Sequence, residues 1–151
     1  MNIDEIEYLR KNQKRTPLIV ANQFAKAYEN LMLETSEASI LKDKTARTIL
    51  IYLSYRNGVT QRELVKATQM KGSTVSIALS KLEENGLIIK EENEFDMRSV
   101  RILITEKGRE VETKIEVLLK DIEKKIMKGI SEKDAKIAVC VLEQMLENLF
   151  S

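Results

Sequence analysis

The chain has 151 residues, of which 25 are Lys or Arg and 24 are Asp or Glu, so its formal net charge is +1. This length suits a single domain that buries roughly two thirds of its unfolded surface without help from a metal or a disulfide. With no histidine and one cysteine, the chain lacks the usual transition-metal ligands and any Ser-His or Cys-His pair, and we expect no catalytic site, metal site, cofactor or enzymatic activity.

The location of the protein in the cell is predicted from what the sequence lacks. No long uncharged apolar run occurs, and no basic segment followed by an apolar core begins the chain. The first absence argues against a membrane span, and the second argues against a secretory signal. The single Cys140 cannot form an internal disulfide, which is consistent with a reducing compartment. We therefore expect a cytoplasmic protein.

The first part of the chain predicts helices separated by short polar segments. Apolar residues at helical spacing predict a short helix over residues 3–12. Thr16-Pro17 predicts the start of a second helix, running to about Glu34, because Thr can cap it and Pro has no amide to leave unpaired there. Asp43 or Thr45 can cap a third, mostly buried helix, which the turn dipeptide Asn57-Gly58 follows.

The middle of the chain predicts two helices joined by a turn. Thr60-Gln61-Arg62-Glu63 has the pattern of a capping box, in which the threonine hydroxyl and the glutamate carboxylate satisfy free amides at a helix start. After an interruption at residues 69–72, a second helix begins at about Ser73. Its apolar residues recur at i, i+3, i+4 and i+7, which predicts one buried stripe: Val75, Ala78, Leu79 and Leu82.

The other side of that second helix carries small hydroxyl side chains and few charges. Serine and threonine can bond to phosphates and base edges, and the Ile77 side chain can meet a thymine methyl in the major groove. Residues 56–82 also contain five basic residues and one acidic residue, which predicts a patch that faces phosphates. An ordinary solvated surface helix is the alternative, although such helices usually carry more Glu and Lys.

The rest of the chain predicts a hairpin and two long helices. Asn85-Gly86 ends the preceding helix, residues 87–90 and 99–104 read as strands, and polar residues 91–98 connect them. Thr105 can cap a long helix with one apolar seam. Ser131 can cap a last helix that is apolar on almost every side between residues 135 and 142, which predicts burial against a second copy of the chain. Burial within its own subunit is the alternative.

Two stretches carry a resemblance to a known family. Asp96-Met97-Arg98 leads into a strand and then the helix start Thr105-Glu106-Lys107-Gly108, while the helix from Ser73 leads through Leu82-Glu83-Glu84-Asn85-Gly86 into the first strand of the hairpin. In this order they resemble the wing and the recognition helix of the MarR family of bacterial and archaeal transcription regulators. The resemblance implies a homodimer on a pseudo-palindromic operator in double-stranded DNA. It also implies that Arg98 enters the minor groove and that Asp96 holds this arginine in position.

The predicted fold is mostly α with a small β-hairpin wing, namely a winged helix-turn-helix flanked by N- and C-terminal dimerisation helices. We predict one domain over residues 1–151, with a DNA-binding lobe at about 41–108 and dimerisation helices at about 3–36 and 109–151. The predicted function is a dimeric repressor relieved by a small-molecule effector. The predicted DNA contacts are Gln61, Lys71, Ser73, Thr74, Ser76, Ile77, Ser80, Lys81 and Arg98.

Several interpretations stay open at this point. Acidic residues surround Arg98 in the wing and would repel phosphates, which favours a winged-helix module that binds proteins instead of DNA. Cys140 is either a packed thiol, inert because burial in apolar surroundings raises a thiol's pKa, or a redox sensor. Four aromatic residues either belong to the core or line an effector pocket: Phe24, Tyr28, Tyr52 and Tyr55.

Overall fold

The computed structural model describes residues 3–35, 39–93 and 96–151, with the side chains of residues 35, 39, 41, 93 and 96–99 outside that description. The chain divides into two compact units, residues 1–112 and 113–151. The predicted single domain and its lobe boundaries stay predictions. The described elements are α1 (Ile3–Asn12), α2 (Pro17–Thr35), α3 (Ser39–Lys42), α4 (Lys44–Tyr55), β1 (Val59–Thr60), α5 (Gln61–Thr68), α6 (Gly72–Glu84), β2 (Ile88–Asn93), β3 (Asp96–Ile104), α7 (Glu106–Ile126) and α8 (Glu132–Phe150).

The predicted fold class is confirmed, because the chain is mostly helical and carries a small antiparallel sheet. Its three strands lie in the order β1-β3-β2. Val59 of β1 lies opposite Ile102 of β3, and Ile88 of β2 lies opposite Ile104. The two-residue strand β1 was not predicted, since two residues are too few to show a period. It forms one edge of the sheet, directly before the start of α5.

The wing strands are longer than the sequence predicted. The connection expected over residues 91–98 is wrong, because β2 continues to Asn93 and β3 begins at Asp96. Residues 94 and 95 lie outside the described residues. In the register of the two strands, Glu91 lies opposite Arg101 and Glu92 lies opposite Val100, and all four side chains are exposed. A ribbon with exposed side chains needs no apolar alternation, so its backbone pairing left no signal in the sequence.

The winged-helix core is built by α4, α5, α6 and the sheet. All four residues of the predicted α6 stripe are buried, and the α4 residues Ile49, Leu50 and Leu53 and the α5 residue Leu64 are buried as well. Fully burying each such aliphatic side chain contributes about 1.5–3 kcal/mol relative to leaving it exposed. This core fixes which face of α6 points outward.

Local capping sets the starts of the helices. The Asp43 Oδ1 atom accepts hydrogen bonds from the amides of Thr45 at 3.0 Å and Ala46 at 3.2 Å, so Asp43 is the cap of α4. The capping box of α5 is confirmed, with both reciprocal bonds between Thr60 and Glu63 present. The turn between α5 and α6 uses a left-handed residue, Gln69, at φ 56°.

Helix α2 buries less of its apolar face than its pattern suggested. Among its described side chains Met32 alone is fully buried, while Phe24 is about half exposed. A polar tie joins α2 to α4, because the Arg47 guanidinium lies 3.0 Å from the Glu29 carboxylate and is itself buried. Lys44 pairs with the other oxygen of Glu29 at 3.2 Å. These ion pairs were not predicted.

Helix α8 has no buried residue. Burial of α8 within its own subunit and burial against a second copy both stay predictions. Its cap is as predicted, since the Ser131 hydroxyl accepts from the amide of Asp134 at 3.1 Å. Cys140 is exposed in the single chain, and both interpretations of its thiol, packed or redox-sensing, stay predictions. Across the described ranges, no helix combines the length and the apolarity needed to cross a membrane.

Candidate nucleic-acid interface

The outward face of α6 is the centre of the candidate interface. Its core-facing stripe is completely buried, and the residues on the opposite side are all exposed: Ser73, Thr74, Ser76, Ile77 and Ser80. Ile77 has 61% of its surface exposed although it is a large apolar residue. A face of small hydroxyls around one apolar side chain can approach a groove closely and offers both polar and apolar contacts to base edges.

The start of α6 presents free backbone donors beside a lysine. Lys71 occupies the cap position in an extended conformation, and its side chain makes no capping hydrogen bond. The first-turn amides of α6 therefore lack a side-chain cap, and amides at a helix start favour anions such as phosphate. Gln61 lies next to this end, because its amide nitrogen donates to the carbonyl of Gly72 at 3.3 Å. The structure brings Gln61, Lys71 and Ser73 together at one end of the helix.

Lys81 belongs to the same helix but has a protein partner. Its ammonium nitrogen lies 2.9 Å from the Asp43 Oδ2 atom. Burial of the Asp43 carboxyl opposes its ionisation, but the hydrogen bonds from Lys81, Ala46 and Thr45 outweigh burial and hold the pKa of Asp43 below its usual value. The sequence predicted Lys81 as a DNA contact and did not reveal this pair, because its two residues are distant in the chain.

A network of hydrogen bonds joins the end of α6 to the start of α7. The Thr105 hydroxyl donates to the Gly86 carbonyl at 2.7 Å and accepts from the Gly108 amide at 3.0 Å. The Thr105 amide donates to the Leu87 carbonyl at 3.0 Å. Lys107 adds a bond from its ammonium group to the Asn85 carbonyl at 2.8 Å. These contacts give a structural reason for the Asn-Gly and Thr-x-x-Gly pattern in the sequence.

Further positive charges lie beside the sheet. Hydrogen bonds from the Thr60 amide and hydroxyl, followed by the charges of Arg101 and Arg56, hold the pKa of Glu63 below its usual value. Arg56 and Arg101 therefore lie close enough to Glu63 for their charges to act on it. Arg101 was not predicted to contribute to the interface. Its position opposite Glu91 in the hairpin could be found only from the strand register.

The wing residues expected to reach the minor groove are only partly described. The backbones of Asp96 and Arg98 belong to β3, but their side chains lie outside the described residues. The predicted roles of Arg98 in the minor groove and of Asp96 as its support therefore stay predictions. Lys90 at the base of the wing is paired with Glu83 of α6 at 2.6 Å.

Two cavities lie beside α2. The larger, of about 640 Å³, is lined by residues of α1 and α2: Asp4, Glu5, Tyr8, Leu9, Gln23, Lys26, Ala27 and Asn30. Phe24 stacks on Tyr28, with ring centroids 6.5 Å apart, and lines a smaller cavity of about 240 Å³. Tyr28, Tyr52 and Tyr55 are not among the described lining residues of either cavity, and the predicted aromatic effector pocket stays a prediction.

Comparison with known proteins gives a consistent result. The family model of the MarR family matches residues 44–99. The HTH-type transcriptional regulator BilQ of Clostridium symbiosum (strain WAL-14163) is 25% identical over 96 residues, which cover 64% of this chain and 67% of BilQ.

Solved structures agree over most of the chain. A crystal structure of the transcriptional regulator SlyA superposes with a TM-score of 0.78 at 23% identity, covering 89% of this chain and 94% of SlyA. A putative MarR family transcriptional regulator from Listeria monocytogenes, solved in complex with a 26mer DNA, gives a TM-score of 0.77 at 25% identity, covering 90% of each chain.

Proposed function

We infer that this chain is a member of the MarR family of transcription regulators, whose family model matches residues 44–99, and that it binds double-stranded DNA sequence-specifically by placing α6 in the major groove. The observation that carries this proposal is the outward face of α6, where small hydroxyls surround the exposed Ile77. The uncapped start of the helix, with Lys71 beside it, can receive a backbone phosphate. Phosphate contacts fix the position of the protein, and contacts of the exposed face with base edges select the sequence.

A homodimer is part of the proposal. Helix α8 exposes large apolar side chains around its circumference: Ile137, Val139, Val141, Leu142, Leu146, Leu149 and Phe150. Such a surface favours burial against another molecule, and a second copy related by a two-fold axis is the simplest partner. Two copies of α6 would then enter successive major grooves about one helical turn apart, on a pseudo-palindromic operator. We propose that the bound dimer represses transcription.

A small-molecule effector would act on this dimer. The cavity of about 640 Å³ between α1 and α2 has the volume of a small-molecule site. A ligand shifts an equilibrium only by binding one state more tightly than the other. Repression would therefore be relieved by a compound that prefers a dimer whose two α6 helices are spaced wrongly for DNA.

A module that binds proteins through the winged-helix fold is the second candidate. Glu91 and Glu92 are exposed on β2, and carboxylates in the wing repel phosphates. This observation favours a partner with a basic surface. The redox-sensing regulator remains a variant of the main proposal, because Cys140 is exposed.

Selection of binding sites from random duplex DNA tests the main proposal. We expect an inverted repeat, bound with an affinity that falls steeply as salt concentration rises, because cations are released from neutralised phosphates. Recovery of no preferred sequence would favour the protein-interaction module instead. Treatment with peroxide, compared between the wild type and Cys140→Ser, tests the redox variant, which requires that the substitution abolish any response.

A further inference from the structure

The carboxylate of Asp43 links two helices of the winged-helix unit. Its Oδ1 atom accepts the amides of Thr45 and Ala46 in the first turn of α4. Its Oδ2 atom accepts the ammonium group of Lys81 in α6 at 2.9 Å. Because the two amides fix the carboxylate, the direction of Oδ2 is fixed as well, and Lys81 meets a rigid partner.

The two helices differ in how they are held. Helix α4 carries a fully buried row that includes Ile49, Leu50 and Leu53, so the position of its first turn is set by the core. Helix α6 has one buried side and one exposed side, and Lys81 lies in its last turn, between the buried residues Leu79 and Leu82 along the chain. A tie from Lys81 to the start of α4 therefore restrains the rotation of α6 about its own axis.

The same pair changes the charge that DNA would meet. Lys81 is the basic residue within α6 itself, and in the pair its charge is balanced by Asp43. The side chain of Asp43 is three-quarters buried, whereas that of Lys81 is half exposed. Lys81 thus contributes little net positive charge to the outward face while the pair is intact.

We propose that Asp43 is a positioning residue for DNA recognition: it holds Lys81 at the start of α4 and thereby fixes the orientation in which α6 presents its hydroxyl face. Lys81 acts through this pair and does not contact phosphate. This inference rests on the proposed function, because orientation of α6 matters only if α6 reads DNA.

The variant Asp43→Asn separates the two roles of the side chain, namely the cap of α4 and the ion pair with Lys81. Asparagine caps a helix about as well as aspartate, so α4 keeps its first turn, but an amide cannot form an ion pair with Lys81. We expect the affinity for the selected operator to fall about fivefold for each recognition helix, as an ion pair of this exposure allows. Affinity for a scrambled duplex should not fall, because the released Lys81 keeps its charge.

The variant Lys81→Met tests the pair from the other side and serves if Asp43→Asn does not fold. The double variant Asp43→Asn with Lys81→Met leaves the net charge of the pair at zero, so the slope of affinity against salt concentration should match that of the wild type. Lys120→Met, which removes an exposed lysine paired with Glu116 in α7, is the matched control and should leave operator preference unchanged.

The outcomes separate this inference from the proposed function. If Asp43→Asn keeps or improves operator preference, the positioning role is overturned. If the double variant lowers the salt slope by about one for each helix, Lys81 contacts a phosphate and the inference is again overturned. A wild-type protein that prefers no sequence would instead overturn the proposed function. Equal loss of operator preference in the two single variants, with no further loss in the double variant, supports the inference.

Discussion

The hydroxyl of Thr105 donates a hydrogen bond to the carbonyl of Gly86 at 2.7 Å, across 19 residues of sequence. It joins the end of α6 to the start of α7, with the whole hairpin wing between them. The same hydroxyl caps α7 by accepting from the Gly108 amide. A single side chain therefore closes the base of the wing and caps the next helix, which fixes where the wing leaves α6.

Gly108→Ala should destabilise the protein. A Cβ atom at this position would lie 2.1 Å from the Leu87 carbonyl oxygen and 2.7 Å from the Ile104 side chain. Because the first of these neighbours is backbone, relief requires a shift of the chain at Leu87, just before β2, and we expect a cost of about 1–3 kcal/mol. Urea unfolding measures it. Gly72→Ala is the control, since a Cβ there meets no atom within 4 Å, and an equal loss in both variants would contradict the prediction.

Thr105→Val should weaken the junction between the end of α6 and the start of α7 by a different route. Valine keeps the shape of threonine but removes the hydroxyl that bonds Gly86 and Gly108. Loss of a helix cap costs about 0.5–2 kcal/mol. We expect a lower urea midpoint together with reduced protection of the α7 first-turn amides in hydrogen exchange. Thr105→Ser retains the hydroxyl and should stay close to the wild type. Wild-type protection in Thr105→Val would show that the hydroxyl does not hold the junction.

The sequence predicted those features that depend on neighbours along the chain. The buried stripe of α6 follows from helical periodicity, and the capping box at Thr60 and Glu63 lies within four residues. Contacts between distant residues leave no such pattern. The pair of Asp43 and Lys81 spans 38 residues, and a lysine predicted to face DNA therefore proved to have a protein partner. Likewise, the pattern of α2 could not reveal that Phe24 would remain half exposed, because burial depends on what packs against the helix.

Thr74→Ala and Ser76→Ala should change which operator sequence is preferred. Both side chains are exposed on the outward face of α6, where a lost base contact costs about 1–3 kcal/mol of discrimination at one position. We expect relaxed selection at one base pair in each half-site, with affinity for scrambled DNA unchanged. Site selection repeated with each variant measures this effect. Ser151→Ala, at an exposed serine far along the chain, is the control. An unaltered preferred sequence in both variants would exclude readout by this face.

Acid should remove the contribution of Asp43 to stability. Its pKa in the folded protein is lower than the ordinary value of 3.8, so the folded state favours the carboxylate more than the unfolded state does. That stabilisation is complete above the unfolded pKa and is lost as pH falls through the folded pKa. The difference in unfolding free energy between the wild type and Asp43→Asn should be constant from about pH 5 to 8 and shrink below about pH 4. A difference independent of pH down to acid unfolding would show that the ion pair contributes nothing.

Leu142→Glu and Leu146→Glu should separate the proposed dimer into monomers. Both residues lie on α8 and are about half exposed in the isolated chain, at 47% and 57%. Burial of an unpaired carboxylate in an apolar interface is costly, whereas the same charge on a solvated helix is tolerated. Sedimentation velocity should show a dimer for the wild type and monomers for each variant. Operator affinity should fall because the two α6 helices no longer bind as one unit. Lys133→Glu, in the first turn of α8, changes charge without entering the apolar surface and is the control. A wild-type chain that sediments as a monomer, or glutamate variants that remain dimeric, would remove α8 from the interface and with it the structural basis for paired half-sites.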